Sequence, residues 1–285
     1  MQINIPADVP KNKINTYKKN FSQATMNTGR LFLFAGDQKI EHLNDDFSQK
    51  LGFGNENPEH LFKIASKIKV GVFAAHLGLI SHYGKSYKNI PYLIKLNGKS
   101  NLVKTKDPLS PALWSVKDVV SFKKSSNLKV IAIGYTIYLG SEYETVMLKE
   151  AAQAIKEAHE NGLLAVLWIY PRGKNIKDEK NTDIIAGAAG LGLCLGADFI
   201  KLNYPFGSSK DDAKKAKEIT IAAGRSGIIF SGGKKINEKN FLETISNQIE
   251  MANARGCAIG RNIHQNQLKQ AIKLGQQISQ IIRKK

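Results

Sequence analysis

The 285-residue chain reads as an α/β protein: one (β/α)8 TIM-barrel domain over residues 31–285, preceded by an N-terminal extension over residues 1–30. Three observations predict this. Eight short apolar runs rich in β-branched or aromatic residues recur along the chain, and most gaps between them carry a helical pattern. No linker or low-complexity segment breaks the alternation, and barrels of about 250 residues form one domain. The rival open sheet needs a glycine-rich fingerprint after its first strand, where residues 36–41 instead read GDQKIE.

The expected strands are Leu31 to Ala35, Val70 to Ala74, Tyr92 to Leu96, Val130 to Gly134, Ala165 to Tyr170, Phe199 to Asn203, Gly227 to Ser231 and Cys257 to Gly260. Ser141-Glu142-Tyr143-Glu144 reads as a capping box opening a helix that stops at Asn161-Gly162. Residues 208–223 and 237–253 read as amphipathic helices, and a last helix is expected from about Gln265 to Ile282. The extension is expected to cover the barrel bottom. The long stretch 43–58 falls at the first βα junction, on the catalytic face, where long loops serve substrate binding.

Composition narrows the function. Cys194 and Cys257 are the only cysteines, too few for a disulfide framework or a zinc-ribbon spacing. The N-terminal stretch has no apolar signal-like region and no run approaches a membrane span, so a reduced, soluble, cytoplasmic protein without membrane partners is expected. The formal net charge of +18 is nearly all lysine, scattered in pairs such as Lys18-Lys19 and Lys214-Lys215. Nucleic-acid readers concentrate such charge on one face. A solvated lysine-rich surface that steers anionic substrates is therefore the preferred reading, with a non-enzymatic polyanion-binding barrel as the alternative.

Barrel enzymes place chemistry at the C-terminal strand ends. Those positions carry Asp37, Lys95, Asn97, Tyr170, Lys201, Asn203, Ser231-Gly232-Gly233 and Gly260-Arg261. With side chains alternating faces, Trp168 and Tyr170 point inward while Leu167 and Ile169 meet the helices. Likewise, Ile200 and Leu202 outward force Lys201 into the barrel. An interior lysine is a structural ion pair, a phosphate contact, or an amine kept neutral for carbonyl attack. Lys95 is either a second cation lowering the pKa of Lys201 or another phosphate contact. The glycine pairs after the seventh and eighth strands, each expected beside a helix N-terminus, suit a phosphate cradle with Arg261 attached. The histidines show no metal-binding spacing. Glu41-His42 and Asp45-Asp46 cluster after the first strand, but loop hydrogen bonding explains them, so no metal is expected. The remaining histidines, His159 included, read as surface or packing residues.

With these residues placed, LFLFAGDQKIEH, VLWIYPRGK, LGADFIKLNYP, IIFSGGKK and CAIGRNIHQ resemble, in this order, the archaeal-type class I fructose-bisphosphate aldolases, a family related to deoxyribose-phosphate aldolase. The resemblance spans about residues 28–270. It implies reversible, metal-independent cleavage of fructose 1,6-bisphosphate in glycolysis and gluconeogenesis, with no cofactor beyond a covalent imine. It implies Lys201 as the Schiff-base lysine, Tyr170 as the proton-transfer residue, Trp168 shaping the pocket and Asp37 assisting carbinolamine and hydroxyl chemistry. Ser231, Gly232, Gly233, Gly260 and Arg261 are implied to hold the phosphate. Ring-shaped homo-oligomers, often decamers, are implied too. Asn203 stands where many relatives have threonine or proline, which bears on fine specificity. Sister activities are an aminodideoxyheptulosonate synthase and a thiolase acting on a phosphorylated autoinducer.

If Tyr170 is to serve both C4 hydroxyl deprotonation and C3 protonation, nearby ammonium groups must lower its pKa.

Overall fold

In the computed structural model, which describes residues 3–284, eight parallel strands close into a barrel in chain order. The strands are β1 (Leu31–Ala35), β2 (Val72–His76), β3 (Tyr92–Lys95), β4 (Val130–Leu139), β5 (Leu164–Pro171), β6 (Phe199–Leu202), β7 (Gly227–Ser231) and β8 (Gly256–Ile259), with β8 pairing back onto β1. Helix α1 (Ile14–Ala24) precedes β1, and α2 (Gln38–His42) and α3 (Glu59–Lys67) follow it. Next come α4 (Leu77–Tyr83), α5 (Val116–Ser126), α6 (Glu144–Glu160) and α7 (Thr182–Cys194), one after each of β2 to β5. The pair α8 (Lys210–Lys215) and α9 (Lys217–Ala222) follows β6, α10 (Glu238–Glu250) follows β7, and α11 (Arg261–His264) and α12 (Leu268–Arg283) complete the chain. Among the described residues no helix is long and apolar enough to cross a membrane.

Period-two alternation splits the core into two layers. Leu33, Val72, Leu93, Val166, Trp168 and Phe199 fill the barrel, while Phe32, Phe34, Phe73, Ile94, Leu167 and Ile200 pack under the helices. The boundaries of β1 and β7 match the sequence expectation, and most others shift by a residue or two. The larger difference is β4, which runs five residues past Gly134 because Ala132–Leu139 pairs with Leu164–Pro171 along its whole length. This ribbon rises above the rim and carries Tyr138 and Tyr170 with it. Gly134 itself is a close-approach position: a Cβ there would lie 2.5 Å from the Trp168 ring. The glycine looks like a strand end in the sequence, but it makes room for an indole.

Two helix expectations need correction. The Ser141–Glu144 capping box is replaced by a different closure, in which Ser141 donates to the Pro108 carbonyl and the Glu144 carboxylate accepts from the Gly140 amide. Residues 208–223 form two short helices that break at Ala216. The last helix forms close to its expected range, as α12, with the short α11 ahead of it.

Residues ahead of β1 close the barrel floor. Tyr17 and Ala24 join the interior cluster, and Phe21 stacks on Phe199 with centroids 5.8 Å apart. The charged knot that fastens this cover corrects the reading of His159 as a simple surface or packing residue. His159 is fully buried, its Nδ1 lies 2.8 Å from Asp8 and its Nε2 lies 3.3 Å from Asp198, which also accepts from the Tyr17 hydroxyl. Burial alone would lower the His159 pKa, but Asp198 and then Asp8 outweigh it and raise it to about 9. Because this lies above the unfolded value, the stabilisation is complete below about pH 6.5 and is lost as pH rises through 9. Allowing for half-exposed Asp8, it is on the order of 2 kcal/mol. Thermal unfolding should show Tm falling between pH 6.5 and 9.5, and His159→Gln should flatten that fall; parallel profiles would show that the knot carries no pH-linked stability.

Candidate active site

At the C-terminal mouth of the barrel a cavity of about 370 Å³ collects Asp37, Trp168, Tyr170, Lys201, Ser231, Gly232, Gly233, Gly260 and Arg261. All the expected site residues except Lys95 line it. Lys201 is interior and 5 % exposed, with Ile200 and Leu202 turned to the helices. It is registered beside Trp168, and its Nζ sits 5.2 Å from the indole centroid. Lys95 lies behind the cavity wall. Its Nζ is 5.0 Å from the same indole and donates to Thr136 and to Asn97 Oδ1.

Asn97 fixes that lysine. Its side chain accepts from the Thr136 amide at 2.7 Å and donates to the Ser110 and Thr136 carbonyls, so all of its capacity is used. Burial lowers the Lys95 pKa to about 8, with Asp37 and Glu41 resisting and the charge of Lys201 adding to the fall. Lys201 is lowered as well, chiefly by burial; Asp37 and Glu41 resist and Arg261 assists. The lowering at Lys201 thus comes from desolvation, with help from Arg261, and not from the second lysine that the sequence suggested. Asp37 faces both lysines, and its Oδ1 is buried without a hydrogen-bond partner among the described residues.

Tyr170 departs from expectation. Its phenol is pushed well above the ordinary range, first by burial and then by Asp37, with Arg172 only partly opposing. It therefore rests protonated: a proton donor, not a phenolate base. Arg172 is a site residue that sequence reading missed. Its guanidinium lies 5.0 Å over the Tyr170 ring, 3.2 Å from Glu179 and 3.9 Å from Glu41. Glu41, also missed, accepts from the Tyr138 hydroxyl at 2.9 Å. The available signals were the position of Arg172 just past a strand end and the placement of Glu41 one turn after Asp37 on α2.

The phosphate cradle differs in detail. Arg261 does open helix α11, but α10 begins only at Glu238, so the loop after β7 has no helix N-terminus beside its glycines. The Gly232 amide is already engaged with the Ala258 carbonyl at 3.2 Å. Gly233, at φ +63, takes the left-handed turn, and its amide and that of Lys234 donate to no protein acceptor among the described residues. Asn262 braces this loop, donating to the Gly232 and Lys234 carbonyls at 2.9 and 3.2 Å and accepting from the Ile236 amide. Residues 43–58 contribute no lining residue. Asp46 instead stands 4.0 Å from Arg261 and pairs with His42, while Phe47 stacks on His264 at 4.9 Å. The stretch supports the cradle from behind and does not form it. The Asp46 carboxylate is thus occupied by cationic and hydrogen-bonding neighbours.

The chain matches the model of the DeoC/LacD family of aldolases over residues 31–266. It is 53% identical over 273 residues to fructose-bisphosphate aldolase/6-deoxy-5-ketofructose 1-phosphate synthase of Methanocaldococcus jannaschii, spanning 95% of this chain and 87% of that one. To fructose-bisphosphate aldolase class 1 of Halobacterium salinarum it is 35% identical over 240 residues, 84% of this chain and 86% of the other. Among solved structures, a fructose-bisphosphate aldolase from Slackia heliotrinireducens superposes with a TM-score of 0.94 at 48% identity, over 99% of this chain and 90% of that one. An archaeal fructose-1,6-bisphosphate aldolase superposes with a TM-score of 0.80 at 30% identity, over 93% of this chain and 99% of that one; its catalytic lysine is covalently bound to the carbinolamine intermediate of the substrate.

Proposed function

We propose a mechanism from the premise that this chain belongs to the DeoC/LacD family of aldolases. The protein is a Schiff-base, class I aldolase that reversibly cleaves fructose 1,6-bisphosphate into dihydroxyacetone phosphate and glyceraldehyde 3-phosphate. The observation that carries the residue assignment is the pairing of a buried, pKa-lowered amine at Lys201 with an anion cradle in one cavity.

The free Lys201 amine attacks the C2 carbonyl, and loss of water from the carbinolamine leaves a protonated imine. Asp37, with its unpartnered oxygen, takes the C4 hydroxyl proton. The C3–C4 bond breaks, its electrons flow into the iminium, and glyceraldehyde 3-phosphate departs. Tyr170 then protonates the enamine at C3, and hydrolysis frees dihydroxyacetone phosphate. Anchoring the C1 phosphate on the Gly233 and Lys234 amides and Arg261 puts remote binding energy into orientation. All of these groups come from one chain, so the chemistry is complete in one protomer of any ring of copies. A retained enamine adds to whatever aldehyde the open end admits. Synthase activity with another acceptor is thus the second reading, and the double name of the Methanocaldococcus relative favours it.

The imine serves as electron sink without a Lewis acid, so a coupled cleavage assay should give equal rates with and without EDTA. Loss of activity that zinc alone restores would overturn the class I assignment. Arg261 should contribute roughly 1.5–3 kcal/mol to phosphate binding. Arg261→Ala is therefore expected to raise KM for the bisphosphate at least about tenfold; an unchanged KM would place the phosphate elsewhere.

A further inference from the structure

Behind the phosphate cradle lies a second chamber of about 730 Å³, between the loop after β6 and helix α10. It shares Asn203, Ser231, Gly232, Gly233, Lys234 and Arg261 with the catalytic cavity, so the two spaces meet at the cradle. Lys201, Tyr170 and Arg172 line only the catalytic side.

The chamber is lined in a way that packing alone does not explain. Helix α10 turns Phe241, Ile245 and Gln248 towards it, at the i, i+4 and i+7 positions of one face. Gln248 is only 4 % exposed, yet its carboxamide makes no hydrogen bond among the described residues. The Tyr204 hydroxyl is buried and unpartnered, its ring set edge-on against Phe230 at 5.1 Å and Phe206 at 5.9 Å. A buried polar group left unpaired is costly, and the Tyr204 hydroxyl is one on the wall of this cavity, beside a Gln248 carboxamide that no protein group engages. The volume lies within the range of small-molecule sites.

We propose that chamber and cradle together bind a phosphate monoester with a flat, hydrogen-bonding body, of the purine nucleoside 5′-monophosphate class, and that this ligand competes with the sugar phosphate for the cradle. The carboxamide of Gln248 presents a donor and an acceptor side by side, which matches an adenine edge. The rings of Phe206, Phe241 and Tyr204 offer apolar surface for a base to lie against. Arg261, Lys234 and the loop amides take the phosphate, and the one carboxylate at the rim, Glu179, is already paired with Arg172. Competition presupposes that the cradle holds the substrate's phosphate, as proposed above; binding in the chamber does not.

The test is titration calorimetry with adenosine 5′-monophosphate on the wild type, Gln248→Leu and Tyr204→Phe, using glycerol 3-phosphate as a control that lacks the body. Leucine in place of Gln248 nearly keeps volume and breaks no protein hydrogen bond, so that variant should fold. The nucleotide is expected to bind and to inhibit cleavage competitively. Each variant should weaken it about tenfold while leaving glycerol 3-phosphate affinity and kcat/KM for the bisphosphate unchanged. Nucleotide binding no tighter than that of glycerol 3-phosphate, or insensitive to both substitutions, would overturn the chamber as a site. Nucleotide binding through Gln248 in a protein that cleaves no bisphosphate would instead overturn the aldolase reading and leave the chamber standing.

Discussion

Lys201→Met is expected to abolish both cleavage of fructose 1,6-bisphosphate and borohydride-dependent attachment of dihydroxyacetone phosphate to the protein. Lys95→Met should weaken catalysis while trapping on the Lys201 peptide persists. The two lysines are alike in burial, in distance from Trp168 and in the sense of their pKa shifts, so composition and depth do not separate them. Their partners do. Lys95 is held by Thr136 and Asn97 and does not line the cavity, whereas Lys201 lines it with no protein hydrogen bond among the described residues. A nucleophile must face the substrate, and of the two only Lys201 lines the cavity. The Lys201 pKa is lowered chiefly by burial and not by Lys95, so the pH profile of Lys95→Met should keep its position while its height falls. Mass spectrometry finding the reduced adduct on Lys95 would exchange the two roles. No adduct on either would remove the imine mechanism.

The inward placement of Lys201, Trp168 and Tyr170 was legible because each is flanked by apolar residues whose outward direction is forced by the helices. The ends of β1 and β7 were legible because their apolar runs stop at polar or glycine residues. The extension of β4 was not, since Gly134 interrupts the run for a reason that lies on the neighbouring strand. Arg172, Asn97 and Thr136 act through partners far along the chain or on other strands, and local spacing carries no trace of such pairs. The protonation state of Tyr170 is hidden from the sequence for a related reason. Nearby cations can be counted from a sequence, but depth of burial cannot, and here burial is the larger influence.

Tyr170→Phe isolates that proton. The substitution keeps the aromatic ring beneath the Arg172 guanidinium and removes only the hydroxyl, so the cavity wall should be retained. Imine formation at Lys201 and loss of the C4 proton to Asp37 do not require the phenol, but protonation of the enamine at C3 does. The variant should therefore release about one equivalent of glyceraldehyde 3-phosphate per site and then stall, with steady-state kcat lowered roughly 10²–10⁴-fold, the usual contribution of a positioned acid. Borohydride trapping of dihydroxyacetone phosphate on Lys201 should survive. In the wild type a phenol raised this far stays protonated across the neutral range, so the alkaline limb of kcat/KM should come from other groups and be shared by Tyr170→Phe. A kcat within a few-fold of wild type would remove Tyr170 from proton transfer. Intact trapping without a burst of aldehyde would give the C4 hydroxyl proton to Tyr170 too, and Asp37 would be left to position the lysines.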